Sequence, residues 1–305
     1  MNSKDYGYER LLMSEDTSSI ILRTLSEMNI IKPICSLIRS KAGISVYRVE
    51  SEERKLILKT FDNKEDTREI ENYLLLSKLG IPTLLLLDYT DDAILLPDIE
   101  VSTEYRLGTK NDLNDTRVAC AIAKWYRKLH SEGTRYLTEN KTPMYDESDA
   151  ITVSNMEFVA MKTATKDNSL WKTVADNYNV IRSLIDVLPR TLTYNDFYYT
   201  NLIVAKDYSS AFMFDYNMLG KGIAYGDVRN VTSSLSPEAA TVFKNEYNTE
   251  GLEAEAFADA FISPLVTLYH ACQLRELPLW AKGAYDELKN GDIEKYLHEW
   301  LNAEG

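Results

Sequence analysis

Cysteine is scarce in this sequence. The 305 residues include three cysteines, Cys35, Cys120 and Cys272, and they lie far apart. An odd number without a Cys-x-x-Cys pair or a His-rich partner segment indicates neither a disulfide framework nor a structural zinc site. We therefore expect a reducing compartment, the cytoplasm, as the location.

Long apolar runs are also missing. The strongest run, residues 84 to 87, is four leucines and is soon broken by Asp88 and further acids. The first five residues are polar and charged, unlike a signal peptide, and a membrane-spanning helix needs about 18 or more apolar residues in succession. The sequence predicts no signal peptide, no membrane span and no membrane partner.

Positive charge is in short supply. Lys and Arg number 34 against 47 Asp and Glu, for a net charge of −13. Proteins that bind nucleic acid gain affinity by neutralising phosphates with basic residues, so a nucleic-acid partner is not expected. Two interpretations of the acidity stay open: solubility alone, or an acidic cleft for a cationic substrate.

Length and composition indicate a folded protein of two domains. The chain holds only 12 glycines and 8 prolines, while 45% of its residues are apolar. Such a composition excludes wholesale disorder, and 305 residues exceed what one hydrophobic core usually serves.

A change of hydrophobic period near residue 100 divides the chain. Before it, the pattern predicts antiparallel strands over 43–49 and 55–61, a helix over 64–79 and strands over 84–87 and 93–99. After it, the pattern predicts helices over 115–130, 156–188 (one or two) and 236–301 (several, with breaks near Pro264 and Pro278), and strands over 191–193, 201–204 and 211–214. The fold class is therefore α+β. We predict an N-terminal domain over 1–100 and a helical domain over 101–305.

Two carboxylates and an amide gather around one predicted hairpin. Asp196 precedes its first strand, Asn201 begins that strand, and Asp215 follows the second strand. Singly, each is an ordinary turn residue. Together they supply what phosphoryl transfer from Mg-ATP requires, which is one carboxylate to accept a hydroxyl proton and oxygen ligands for Mg²⁺.

This segment resembles the aminoglycoside phosphotransferase and choline kinase family of the protein-kinase-like fold. The family pattern His-x-Asp-x-x-x-x-Asn is similar to Tyr194-Asn-Asp-Phe-Tyr-Tyr-Thr-Asn201, with Tyr194 in the place of the usual histidine, and the metal-binding aspartate is matched in Phe214-Asp215-Tyr216. The resemblance implies a two-lobed fold with a small sheet lobe and a larger helical lobe. It also implies Asp196 as catalytic base and Asn201 and Asp215 as magnesium ligands. The tyrosine puts the geometry of the loop in question more than its chemistry.

Weaker matches upstream imply a nucleotide site. Gly43 and Ser45 resemble the turn that covers the ATP phosphates, and Lys59 resembles the lysine that touches the α- and β-phosphates. Glu69, in Arg68-Glu69-Ile70, resembles the glutamate that pairs with that lysine. The alternative for Lys59 and Glu69 is a surface salt bridge.

Four further residues match the family by their order in the chain. Asp98 and Glu100 lie where the family offers a backbone C=O and N–H to adenine. His130, in a Leu-His pair at the end of a helix, is expected to be structural rather than catalytic. Asp227, in Tyr225-Gly-Asp227, resembles an aspartate that braces the catalytic loop.

The resemblance implies an ATP- and Mg²⁺-dependent kinase that phosphorylates a hydroxyl of a cationic small molecule, as in aminoglycoside antibiotic resistance. Alternatives within the enzyme class are a choline, ethanolamine, other amino-alcohol or sugar kinase. Phe197, Tyr198 and Tyr199 could offer aromatic faces to a cation, although an ordinary core role is the simpler interpretation. A nucleotide-binding pseudokinase is the alternative from another class. GTP as donor stays open, as does a monomer or a homodimer.

Overall fold

The structure is a computed structural model that describes residues 15–51, 54–141 and 143–303. The chain forms two compact units. The first takes the described residues up to Lys110 together with Tyr199–Asn217, and the second takes Asn111–Tyr198 and Met218 onward. The division predicted near residue 100 thus lies inside the first unit. Residues 199–217, predicted for the second domain, belong to the first.

The strands form three antiparallel sheets. In chain order they are β1 (Ile34–Lys41), β2 (Ile44–Ser51), β3 (Arg54–Phe61), β4 (Asp88–Tyr89), β5 (Ala93–Pro97), β6 (Tyr105–Leu107), β7 (Thr191–Thr193), β8 (Leu202–Ala205), β9 (Ala211–Met213) and β10 (Gly220–Gly222). The first unit contains a five-stranded sheet of order β1-β2-β3-β5-β4 and a three-stranded sheet of order β6-β8-β9, while β7 and β10 pair in the second unit.

Helices make up most of the second unit. The helices are α1 (Glu15–Glu27), α2 (Arg68–Lys78), α3 (Thr116–Glu139), α4 (Val153–Lys162), α5 (Ser169–Asp176), α6 (Tyr178–Asp186), α7 (Ala224–Ser234), α8 (Pro237–Tyr247), α9 (Glu253–Cys272), α10 (Lys282–Asn290) and α11 (Asp292–Ala303). Only α1 and α2 belong to the first unit as described. A small antiparallel-sheet unit and a larger helical unit confirm the predicted α+β class.

The predicted hairpin of the first unit is confirmed as β2 and β3, with Val46 opposite Lys59. The predicted strand over 84–87 is wrong, because the short ladder with β5 begins at Asp88, and Leu85 and Leu87 are exposed. The next strand ends at Pro97, since the Asp98 carboxylate caps a 3₁₀ turn by accepting a hydrogen bond from the backbone of residue 100.

Helix α3 confirms the most regular predicted stripe. Asp115 caps its first turn by accepting from the Arg117 N–H, and the predicted buried positions are all at most 3% exposed: Val118, Ile122, Trp125 and Leu129. The helix continues nine residues beyond His130. No glycine or proline stops it before Gly133, and that glycine is itself buried within the helix. Buried helices tolerate such a glycine where packing requires close approach, and a Cβ at this position would lie 2.5 Å from the Leu192 nitrogen.

Two predictions for the later helices need correction. Pro264 does not mark a break but lies inside α9, whose buried residues on either side, Phe261 and Leu265, hold the helix through the lost hydrogen bond. Residues 156–188 contain parts of three helices rather than one or two, because Asn168 and Asn177 stand at the helix junctions. The break near Pro278 is confirmed, since a 3₁₀ turn follows it.

No helix in the described part of the chain is long and apolar enough to cross a membrane. The three cysteines are free thiols, as their number and spacing predict.

Candidate active site

Lys59 lies between two carboxylates in the first unit. Its Nζ is 2.5 Å from Glu69 Oε2 and 2.7 Å from Asp215 Oδ1. The lysine is 7% exposed and Glu69 is fully buried. The pairing of Lys59 with Glu69 that the resemblance implies is therefore present, and it is not a surface salt bridge.

The two carboxylates determine the charge of the lysine. Burial alone would lower the pKa of Lys59, but attraction to Glu69 and Asp215 outweighs it and leaves this pKa raised. Burial raises the pKa of the Glu69 carboxyl against the opposing effect of the ammonium. Lys59 consequently stays positively charged at neutral pH.

Helix α2 fixes the segment that carries Asp215. The Tyr216 N–H donates to Glu69 Oε1 at 3.3 Å, and the Asn72 amide donates to the Tyr216 carbonyl at 2.8 Å. The Arg68 guanidinium donates to the Asn217 carbonyl at 2.6 Å. Asp215 itself has a φ of 66°, an uncommon value for a residue with a side chain, so these contacts hold a strained turn in place.

A cavity of about 300 Å³ in the first unit contains this group. Its lining includes Lys59, Glu69, Asp215 and Asn217. The Asn217 Oδ1 atom is buried and has no hydrogen-bond partner among the described residues. Sequence reasoning missed Asn217, and the only available signal was its position two residues after Asp215.

The donor atoms beside the cavity fit a magnesium ion. Mg²⁺ prefers oxygen ligands, and it usually keeps waters and substrate oxygens in addition to one or two carboxylates. The Asp215 carboxylate and the unpartnered Asn217 oxygen are ligands of this kind. Asn201, the other residue implied as a ligand, belongs to the same unit, and its carbonyl accepts from the Phe214 N–H at 2.9 Å.

The predicted phosphate turn is only partly in the expected place. Gly43 and Ala42 form the tight turn between β1 and β2 with φ values of 82° and 52°, and Ala42 and Ile44 line the cavity. At this positive φ a residue with a side chain would be strained, so the turn favours glycine. Ser45 falls on the other face of the sheet from Lys59, and its hydroxyl bonds that of Ser40 at 2.9 Å.

Asp98 and Glu100 pair with Arg48. The guanidinium lies 2.7 Å from Asp98 and 2.5 Å from Glu100. The Glu100 N–H, implied as an adenine contact, donates to the Asp98 carboxylate at 3.1 Å. The residues that line the cavity in the described chain include Leu96 but neither of these two acids. These ion pairs occupy the side chains, and the adenine contacts implied for the backbone of Asp98 and Glu100 stay a prediction.

The loop with Asp196 belongs to the second unit, where Asp227 braces it. The Asp227 carboxylate accepts from the Tyr194 N–H at 2.7 Å and from the Asn195 N–H at 2.9 Å. The Asn195 side chain donates to the Met218 carbonyl at 3.0 Å. The backbone φ of Asn195 is 66°, a value that asparagine tolerates. Asp196 follows directly and is partly buried. The bracing implied for Asp227 is therefore observed.

His130 extends the brace. Its Nε2 lies 3.1 Å from Asp227, and because a carboxylate only accepts, Nε2 carries the proton; its Nδ1 lies 2.6 Å from the Tyr247 hydroxyl. The ring is buried, as expected for a structural histidine. Tyr194 is fully buried as well, with its ring edge-to-face with Trp125 at 5.9 Å. The Tyr194 ring thus packs in the interior of the second unit.

The aromatic residues after Asp196 are not equivalent. Phe197 is buried in the second unit, as an ordinary core residue would be, whereas Tyr198 is 55% exposed.

No protein-family model matches the sequence, and a search of curated proteins gives no match. Solved structures do match. Choline kinase LicA from Streptococcus pneumoniae has a TM-score of 0.62 at 13% identity, covering 91% of this chain and 99% of that chain. A complex of LicA with AMP has a TM-score of 0.57 at 14% identity, covering 91% and 98%.

Two other solved structures are similar. A choline/ethanolamine kinase family protein from Mesorhizobium loti has a TM-score of 0.59 at 13% identity, covering 94% of this chain and 99% of that chain. Macrolide 2'-phosphotransferase MphH from Brachybacterium faecium has a TM-score of 0.57 at 12% identity, covering 88% and 97%. The chain therefore has the protein-kinase-like α+β fold of these proteins, which confirms the fold that the resemblance implied.

Proposed function

We propose that this protein is an ATP- and Mg²⁺-dependent kinase that phosphorylates a hydroxyl of a cationic small molecule. The observation that carries the proposal is the buried Lys59, held by Glu69 and Asp215 beside a cavity of about 300 Å³. An ion pair with a purely structural role would not require a third charged group, here Asp215, next to an open cavity. The choline and ethanolamine kinases among the similar folds support an amino-alcohol acceptor as the second candidate.

Each residue would contribute positioning or charge rather than covalent chemistry. Lys59 would hold the phosphates of the nucleotide with its fixed ammonium. Asp196 would orient the acceptor hydroxyl and accept its proton. Asp215, Asn201 and Asn217 would hold magnesium, which when bound neutralises charge on the transferred phosphoryl group.

Release of ADP from ATP, or of GDP from GTP, tests the proposal. The panel should contain choline, ethanolamine, an aminoglycoside, a macrolide and neutral sugars, each with ATP and with GTP. Release with one acceptor class, lost in Asp196→Asn, is the expected result. ATP binding without release for any acceptor would favour the pseudokinase, and no nucleotide binding at all would reject both.

Magnesium is expected to bind tightly only together with a nucleotide. The first unit offers few protein oxygens, so the ion needs oxygens from the phosphates and from water to complete its coordination. Titration calorimetry should therefore give a strong Mg²⁺ signal with ATP and a weak one without it. Asn217→Leu should weaken binding of the Mg²⁺–ATP complex more than binding of ATP in EDTA. Strong binding to the nucleotide-free protein would contradict the assignment.

We propose Glu147 as the counter-ion of a cationic acceptor, which should then bind more tightly as pH rises through about 7. Glu147 in the second unit forms no ion pair among the described residues, and burial together with Asp227 raises the pKa of its carboxyl to about 7. It is therefore mostly neutral below that pH and anionic above it, when it would attract a cation. Choline keeps its charge at every pH. Its KM should therefore fall from about pH 6 to about pH 8, as the Glu147 carboxylate forms.

Glu147→Gln provides the control. This variant should have a higher choline KM at about pH 8 and a flatter pH profile, while the KM for ATP stays as in the wild type. An unchanged choline profile in the variant would exclude Glu147 as the counter-ion.

A further inference from the structure

Strand β1 changes faces at a β-bulge. Cys35 pairs with Val49 and Leu37 with Tyr47, but Arg39 pairs with Val46, so Ile38 is an extra residue in the ladder. A bulge of this kind reverses the face on which the following side chains lie.

The two faces of this sheet have different environments. The face that carries Tyr47 and Val49 packs against α1, through a core that includes Leu25 and Leu58. The opposite face carries Lys59, which pairs with Val46 across the ladder. Cys35 and Leu37 belong to the α1 face, where they are partly buried.

The bulge places Arg39 and Lys41 on the face of Lys59. Arg39 pairs with Val46 and Lys41 with Ile44, and all four line the cavity that contains Lys59. Without the extra residue, strict alternation would place both cations on the α1 face of the sheet, away from Lys59. The bulge therefore brings the two cations to the cavity.

The charges beside the cavity are unbalanced. Lys59 is paired with Glu69 and Asp215. Arg39 and Lys41 form no ion pair with any other residue that the structure describes, and both are exposed. In a chain with a net charge of −13, two unpaired cations on one cavity wall favour a ligand that carries several negative charges.

Apart from Lys59, the other residues of the five-stranded sheet that line the cavity are apolar. Ile57 and Leu96 lie opposite each other in the ladder of β3 and β5, next to Val46. A wall that is basic at the end near the β1–β2 turn and apolar further along suits a ligand with a phosphate chain and a flat organic part.

We propose that Arg39 and Lys41 bind the polyphosphate chain of the nucleotide donor, and that they make affinity depend on the number of phosphates. The inference rests on the proposed function, since it takes the cavity as the nucleotide site. Arg39 offers a planar fork that binds phosphate oxygens in pairs, and Lys41 adds a point charge about 7 Å further along the strand. These side chains supply hydrogen-bond donors to phosphate, of which the backbone of a turn with a single glycine offers fewer.

Affinities for ATP, ADP and AMP test the proposal. Calorimetry would compare the wild type with Arg39→Gln, Lys41→Gln and the double variant. Each substitution should weaken ATP binding about tenfold and the double variant about 100-fold, because a charged hydrogen bond to phosphate is lost each time. AMP binding should weaken less than about threefold.

Two controls separate position from charge. Arg54→Gln removes an exposed cation from β3 outside the cavity lining, and it should leave all three affinities unchanged. Ser40→Arg, added to the double variant, returns one charge on the opposite face and should not restore ATP binding. Melting temperatures close to the wild type should show that the variants are folded.

The outcomes distinguish failure of the proposal for Arg39 and Lys41 from failure of the proposed kinase activity. If the wild type binds ATP and the double variant binds it equally well, the proposal for Arg39 and Lys41 is rejected while the kinase proposal stands. Equal losses for ATP and AMP would also reject it, since they indicate a general change of the cavity. A wild type that binds no nucleotide overturns both.

Discussion

Replacing Asp196 with asparagine is expected to lower kcat by about 10²- to 10⁴-fold, the contribution that a general base usually makes. Asparagine has nearly the same shape but cannot accept the hydroxyl proton. The backbone bonds from residues 194 and 195 to Asp227 do not involve the Asp196 carboxylate, so the loop should keep its conformation. Steady-state kinetics and calorimetry should show the loss in kcat with little change in ATP affinity.

Asp207→Asn is the matched control. This exposed acid lies in the turn between β8 and β9, where it accepts from the Ser209 N–H, and its substitution should leave kcat within about twofold of the wild type. Turnover close to the wild type in Asp196→Asn would end the assignment of Asp196 as the base.

The site elements with strong local signals could be predicted from the sequence. The β8–β9 hairpin follows from two short apolar runs around a polar turn. Lys59 lies within an alternating strand, and Glu69 lies in the first turn of the helix that follows. Local patterns thus predict the strand and the helix that carry these residues, whereas their pairing was implied by the resemblance.

Features that depend on tertiary contacts could not be predicted. The bulge at Ile38 has no glycine to mark it, and it becomes visible only when β1 is paired with β2. Asn217 is one polar residue among many until its oxygen is found buried without a partner. Proline normally ends or kinks a helix, but at Pro264 burial of the surrounding residues overrides this local preference.

The brace of the Asp196 loop could be predicted only in part. The position of Asp227 could be inferred by resemblance, but Tyr247 lies far along the chain on α8 and carries no motif. Its hydroxyl, His130 and the Asp227 carboxylate form a continuous buried chain that ends at the backbone of residues 194 and 195. Three elements of the second unit thus position the loop through its backbone.

The pair of Lys59 and Glu69 should contribute strongly to function and little to net stability. Lys59→Met leaves the buried Glu69 carboxylate without its cation, and Glu69→Leu removes one of the two partners of a buried ammonium. Removing one member of a buried ion pair typically costs about 3–5 kcal/mol, whereas replacing both by apolar residues of similar size is often neutral. Denaturant unfolding should therefore show both single variants destabilised and the double variant more stable than either. The double variant should remain about 1–3 kcal/mol below the wild type, because the buried Tyr216 N–H loses its acceptor on Glu69.

Activity should follow a different order. All three variants should lose tight ATP binding, because each disturbs the positive charge that faces the phosphates. The double variant should not recover ATP binding although part of its stability returns. Lys172→Met is the control, since Lys172 and Asp176 form an ion pair at the surface, and such a pair contributes at most about 1 kcal/mol. A double variant as unstable as the single ones would show that Lys59 is held mainly by Asp215. A double variant that binds ATP like the wild type would remove Lys59 from the nucleotide site.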